Sequence, residues 1–86
     1  MENNGTSLKD IIELLSQIEE DYTVPKNVRI KVKNVTTYLE ENSQSIGVRV
    51  DKSLQELDEV ADDPNVPSYI RTQIWNVVSL LESMSE

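Results

Sequence analysis

The sequence predicts an all-α domain made of two repeated helical hairpins folded into a four-helix bundle. Three observations carry this reading. The stretch Asp21-Tyr22-Thr23-Val24-Pro25-Lys26-Asn27-Val28-Arg29 returns 42 positions later as Asp63-Pro64-Asn65-Val66-Pro67-Ser68-Tyr69-Ile70-Arg71. Sliding Ile12–Asn42 over Leu54–Met84 without a gap also matches Leu15/Leu57, Asn34/Asn76, Val35/Val77, Leu39/Leu81 and Glu40/Glu82. On both sides of each repeated stretch, apolar residues recur at intervals of three and four, the period of a helix and not of a strand. A repeat in the low forties with one helix either side of a turn is the pattern of helical hairpins.

Residues 1–6 read as a flexible tail ahead of one helical domain, 7–86, with hairpins over about 8–42 and 50–84. Ser7 with Asp10 has close to capping-box spacing and starts the first helix, expected over 7–20. Leu8, Ile11, Ile12, Leu15 and Ile18 form its apolar stripe, flanked by Leu14. Thr23 is expected to cap the second helix, 25–41. Pro25 falls in its first turn, where a missing N–H removes no helical bond. Val28, Val32, Val35 and Leu39 share one face there, with Tyr38 beside them. Asn42–Ser45 is a polar connector. The third helix, 46–62, carries Val50, Leu54, Leu57, Val60 and Ala61, although Gly47 and its neighbouring valines weaken its opening. Asn65 is placed to cap the fourth helix, 67–84, lined by Ile70, Ile74, Val77, Leu81 and Met84, with Val78 widening the stripe. Short connections make sequential helices antiparallel, so both Val-Pro turns fall at one end of the bundle, with Val24 and Val66 as buried anchors.

Composition narrows the function. The chain has no Cys and no His, which removes the thiol nucleophile, the commonest general base and the usual transition-metal ligands. A net charge of −8 opposes non-specific binding to nucleic acid or to an anionic membrane. No apolar run is long enough to span a bilayer, and the polar start lacks the pattern of a signal peptide. A soluble cytoplasmic chain with no cofactor is the expectation.

The motifs Thr23-Val24-Pro25-Lys26-Asn27-Val28-Arg29, Val48-Arg49-Val50 and Asp63-Pro64-Asn65-Val66-Pro67, leading to Arg71-Thr72 and Ile74-Trp75-Asn76, span nearly the whole chain. The repeated turn resembles HEAT-type repeats, in which a turn Asp and an early Val-Arg recur. As a set the motifs are similar to a family of small archaeal proteins, uncharacterised protein family 0147. The resemblance implies an all-helical fold like a four-helix bundle. It implies no activity and supplies no catalytic residues.

Candidate residues fall into four groups. Asp21/Arg29 and Asp63/Arg71 recur with the turns. A brace is needed once per turn, so the repetition favours structural braces over a pair of anion-binding arginines. Asp58, Asp62 and Asp63 offer oxygen ligands to a divalent cation, but their spacing fits no ion-binding loop, and a solvated acidic surface accounts for them. Lys26, Arg29, Lys31 and Lys33, at the basic end of the second helix, are the alternative: a nucleic-acid-associated accessory protein. Finally, subtracting one hairpin from the other turns Lys33 into Trp75, Thr36 into Val78 and Asn27 into Tyr69, while Leu14 becomes Glu56 and Ile11 becomes Ser53. Apolar character has moved to the first and fourth helices. The Trp75/Val78 stripe therefore either packs on the first helix or forms a contact surface with Tyr69 at its edge.

No residue set meets the geometric roles that catalysis requires. The expectation is a non-enzymatic interaction or assembly module, with a homodimer or another protein as partner and no membrane. An exposed Trp75 supports it; a buried Trp75 leaves it unsupported.

Overall fold

In the computed structural model the structure describes residues 7–84, so the expected tail at residues 1–6 lies outside the described residues. Four helices account for the described residues, α1 Leu8–Glu19, α2 Lys26–Glu40, α3 Ile46–Asp62 and α4 Ser68–Met84, with no strand among them. Each lies within two residues of its expected bounds. α1 starts where Ser7 Oγ accepts the Asp10 N–H at 3.2 Å while the Asp10 carboxylate accepts the Ser7 N–H at 3.4 Å, a reciprocal capping box. At α3 the cap is Ser45, whose Oγ accepts the Val48 N–H at 3.3 Å.

The helices form a ring. α1 packs on α2 and α4, and α3 packs on α2 and α4, while the diagonal pairs do not approach one another. Inside the ring the apolar rows meet: Ile11, Leu15 and Ile18 from α1; Val28, Val32, Val35 and Leu39 from α2; Val50, Leu57 and Val60 from α3; Ile70, Ile74, Val77, Val78 and Leu81 from α4. Leu8, Ile12, Leu14, Leu54, Leu80 and Met84 pack around them, partly buried. Burying each of these aliphatic side chains fully is worth ~1.5–3 kcal/mol, so the core holds the ring together. Ser53, the polar replacement for Ile11, is fully buried as well, and its hydroxyl is satisfied by the Arg49 carbonyl at 2.8 Å. Among the described residues no helix is long and apolar enough to cross a membrane.

The two Val-Pro turns are built alike. Asp21 Oδ1 accepts the Thr23 N–H and Asp63 Oδ1 accepts the Asn65 N–H, both at 2.9 Å. The carbonyls of the same aspartates accept the N–H groups of Val24 and Val66 at 3.1 and 3.2 Å. Val24 and Val66 are 1% and 3% exposed, anchoring each turn in the core as the repeat requires. The capping expectation is corrected here. Thr23 does not cap α2, because its hydroxyl turns back to Asp21 at 2.6 Å, and Asn65 contributes its N–H to the turn. Pro25 itself takes the N-cap place, without a side-chain cap bond, and its carbonyl receives the N–H groups of Val28 and Arg29 at 3.0 Å. The Pro67 carbonyl does the same for Ile70 and Arg71. Each proline thus stands one residue before its helix, not inside the first turn.

Candidate functional site

The arginines of the turns reach carbonyls and not carboxylates. Arg29 Nε donates to the Val24 carbonyl at 3.1 Å, and its guanidinium lies 5.5 Å from the centre of the Tyr22 ring. Arg71 donates from Nε to the Ala61 carbonyl at 2.9 Å and from Nη2 to the Asp63 carbonyl at 2.8 Å. Ala61 lies in the last turn of α3, where carbonyls lack an intrahelical partner, whereas the Val24 and Asp63 carbonyls belong to the turns themselves.

The middle connector holds a third copy of the device that the sequence comparison missed. Arg49 donates from Nε to the Gln44 carbonyl at 3.1 Å and from Nη1 to the Leu39 carbonyl at 3.0 Å. The Glu41 carbonyl accepts the Gln44 N–H at 3.2 Å, the same backbone turn as at Asp21 and Asp63. The acid-to-arginine interval is 8 in Asp63/Arg71, and Glu41/Arg49 and Asp21/Arg29 keep it. The copies start at residues 21, 41 and 63, intervals of 20 and 22, so a gapless overlay at 42 passes over the middle one. Its signal was the recurring aliphatic-Arg pair, Val28-Arg29, Val48-Arg49 and Ile70-Arg71.

At the end shared by the two Val-Pro turns, Tyr69 joins them. Its hydroxyl donates to Asp21 Oδ2 at 2.7 Å, and its oxygen lies 2.6 Å from Thr23 Oγ1, which donates to Asp21 Oδ1. Three groups thus share two hydroxyl protons. The Asp21 carboxyl is held below its ordinary value, first by the Thr23 hydroxyl, then by the Tyr69 hydroxyl and the Thr23 N–H. Tyr69 is therefore a tie between α4 and the α1–α2 turn, a role its exposure of 51% conceals.

Of the four basic residues grouped on α2, two are committed elsewhere. Arg29 holds its turn, and Lys31 pairs with Glu59 of α3 at 3.0 Å. That hydrogen bond is the first cause of the raised proton affinity of Lys31. Lys26 and Lys33 remain, lining with Glu19, Arg29 and Ile30 a shallow groove of about 240 Å³. Glu19 also accepts the Thr36 hydroxyl at 3.1 Å, joining α1 to α2. Among the described residues, Asp58, Asp62 and Asp63 belong to no group of three that could hold a metal ion.

The three proposed contact residues part company. Val78, 9% exposed, belongs to the core and offers no surface. Tyr69 is tied to Asp21. Trp75 is 46% exposed. Arg71, Trp75 and Val78 fall at i, i+4 and i+7, so they share one flank of α4. Arg71 reaches the end of α3, hence this flank looks toward α3 and not toward α1, as the sequence comparison suggested. Tyr69 bonds to the α1–α2 turn and marks the other flank, so it does not edge the Trp75 surface.

Taken together these features define a small all-helical domain: a ring of four helices with arginine-braced turns and one half-exposed tryptophan. The chain belongs to the uncharacterised protein family UPF0147, whose model matches residues 1–84. Two solved structures are similar to it. One is the crystal structure of a protein of unknown function, MMP1188, 43% identical, covering 88% of this chain and 86% of that chain with a TM-score of 0.85. The other is the crystal structure of a UPF0147 protein from Thermoplasma acidophilum, 38% identical, covering 90% and 91% with a TM-score of 0.86. No curated protein matches the chain.

Proposed function

We propose that this chain is a non-enzymatic protein-interaction module that docks a partner through the face of α4 centred on Trp75. The observation that carries the reading is the state of the only tryptophan in the chain. It stands 46% exposed on a helix whose other large apolar residues are buried or partly buried, apart from Tyr69, whose hydroxyl is engaged. Tryptophan is a favoured anchor at protein contacts because it brings large, rigid apolar area at little entropic cost. The lack of His and Cys and the use of the arginines as braces support a role without catalysis.

The test compares wild type with Trp75→Lys, Lys being the residue the first hairpin places at the equivalent position. Affinity purification from the native cell should recover a protein with wild type and lose it with the variant. Circular dichroism and the melting temperature should stay close to wild type. Recovery of the same proteins by both would refute the reading. Sedimentation equilibrium of the pair separates a second copy of this chain, the homodimer form of the reading, from docking of a different protein.

A further inference from the structure

The surface beside Trp75 says which partner fits. On α3, the flank toward α2 is occupied: Glu59 pairs with Lys31, Glu56 accepts from Asn34, and Lys52 lies 5.9 Å from the centre of the Tyr38 ring. Asp51, Gln55, Asp58 and Asp62 fall at i, i+4, i+7 and i+11, so they form one exposed row on the opposite flank, toward α4. The two helices are antiparallel, and Arg71 is level with Ala61 through its 2.9 Å bond. One turn further along α4 is therefore one turn back along α3, which sets Trp75 level with Asp58. No described residue gives Asp51, Asp58 or Asp62 a hydrogen bond or an ion pair.

Trp75 differs from the other aromatic residues in the same respect. Tyr22 has Arg29 near its ring, Tyr38 has Lys52, and the Tyr69 hydroxyl is bonded to Asp21. Trp75 alone among them has neither a cation nor a hydrogen-bond partner among the described residues. Its flank of α4 faces the α3 row of Asp51, Asp58 and Asp62, whose carboxylates also lack partners among the described residues.

We infer that the α3–α4 face receives an arginine- or lysine-rich segment of another protein, with a cation over the Trp75 indole and others along Asp51, Asp58 and Asp62. A guanidinium stacks on an indole face and pairs with carboxylates at once, so one residue type answers both features. A second copy of the chain does not fit this face. An isologous contact through Trp75 would set two acidic rows together, and like-charge juxtaposition opposes docking. The inference rests on the interaction reading and names the chemistry of its partner.

Trp75 is the only tryptophan, so its fluorescence reports this face directly. The full chain is titrated with a short peptide alternating arginine and leucine, up to about 1 mM, the weak end of useful affinities. A saturable change in emission is expected, weakening as salt is raised. Asp51→Asn/Asp58→Asn/Asp62→Asn should weaken binding by about tenfold or more. Glu13→Gln/Glu20→Gln/Glu40→Gln removes the same charge from exposed sites elsewhere and should change it by about twofold at most, because screening confines exposed charges to roughly 10 Å. An equal loss in both triple variants would reduce the effect to bulk charge and overturn the inference, as would no saturable change with wild type. If the asparagine variant melts early, the salt dependence of wild type with the peptide and with its glutamine-for-arginine analogue decides instead. A Trp75-dependent partner that is neutral or acidic, or a Trp75-dependent dimer, would overturn the basic partner and leave the interaction reading standing.

Discussion

Replacing the brace arginines one at a time by lysine keeps the charge and removes the planar fork. Arg71 and Arg49 each donate two hydrogen bonds to backbone carbonyls of a helix end and its connector, and Arg29 donates one to a connector carbonyl. A hydrogen bond from a charged donor contributes ~1.5–3 kcal/mol. All three sites are only partly buried, so the low end applies, and lysine can recover one bond of two. The expected losses are therefore ~1.5 kcal/mol for Arg71→Lys and Arg49→Lys, one bond each, and under ~1 kcal/mol for Arg29→Lys, whose single bond lysine can remake. A domain of this length has a total stability of ~4–13 kcal/mol, so either double brace is a large share of it. With a urea slope near ~1.2 kcal/mol/M for so short a chain, the midpoint should fall by about 1.3 M for the two larger losses. Urea unfolding followed by circular dichroism at 222 nm (the ~222 nm helix band, whose loss tracks the helical ladder) measures this. Equal midpoints for wild type and Arg49→Lys would refute the claim that the middle connector is braced like the other two. A larger loss at Arg29 than at Arg71 would refute the bond-by-bond argument.

Four further outcomes follow from the same structure. Val66→Asp puts a carboxylate where the side chain is 3% exposed and should cost about 3 kcal/mol or more, read as loss of a cooperative melt near neutral pH. Gly47→Ala should stabilise by about 0.5 kcal/mol, since nothing lies within 4 Å of the added Cβ; a lower melting temperature would contradict it. The depressed Asp21 carboxyl contributes stability that is present above its unfolded value, near about 3.9, and lost as pH falls through the lower folded value. The acid limb of the melting temperature should therefore be shallower for Asp21→Asn than for wild type, and parallel limbs would contradict the tie. Trp75→Lys should melt within a few degrees of wild type, roughly the effect of a surface change of up to ~0.5 kcal/mol; gross destabilisation would make Trp75 a core residue.

The helices were legible because each apolar row has a helical period and each helix is bounded by a turn with its own chemistry. Val24 and Val66 declared themselves by recurring beside proline. The site was less legible. Periodicity placed Trp75 and Val78 on one stripe, but it cannot say where a stripe passes from core to surface, and that boundary runs between them. Tyr69 was read as an apolar anchor because its hydroxyl bond spans 48 positions, and no local pattern encodes such a contact. Thr23 had the right residue type for a cap, yet Asp21 competed for its hydroxyl from two residues away. The third brace was hidden by spacing: the connectors repeat at unequal intervals, and a fixed offset finds only the outer two.

The ring closes between the first helix and the last, and that closure is its thinnest seam. α1 is also the shortest helix, 12 residues against 15 to 17, and it places three residues in the core where α4 places five. Proteins open locally where the fewest buried contacts hold them. Detachment of α1 leaves α3 packed on both α2 and α4 while uncovering the inner rows of α2 and α4. Amide hydrogens of α1 should accordingly exchange with solvent sooner than those of α3. The vacated trough matches the spacing of Ile11, Leu15 and Ile18, which the α1 of a neighbouring molecule also supplies. Exchange of α1 between two molecules would rebuild each core with its own contacts, giving a slowly formed dimer that owes nothing to the tryptophan face.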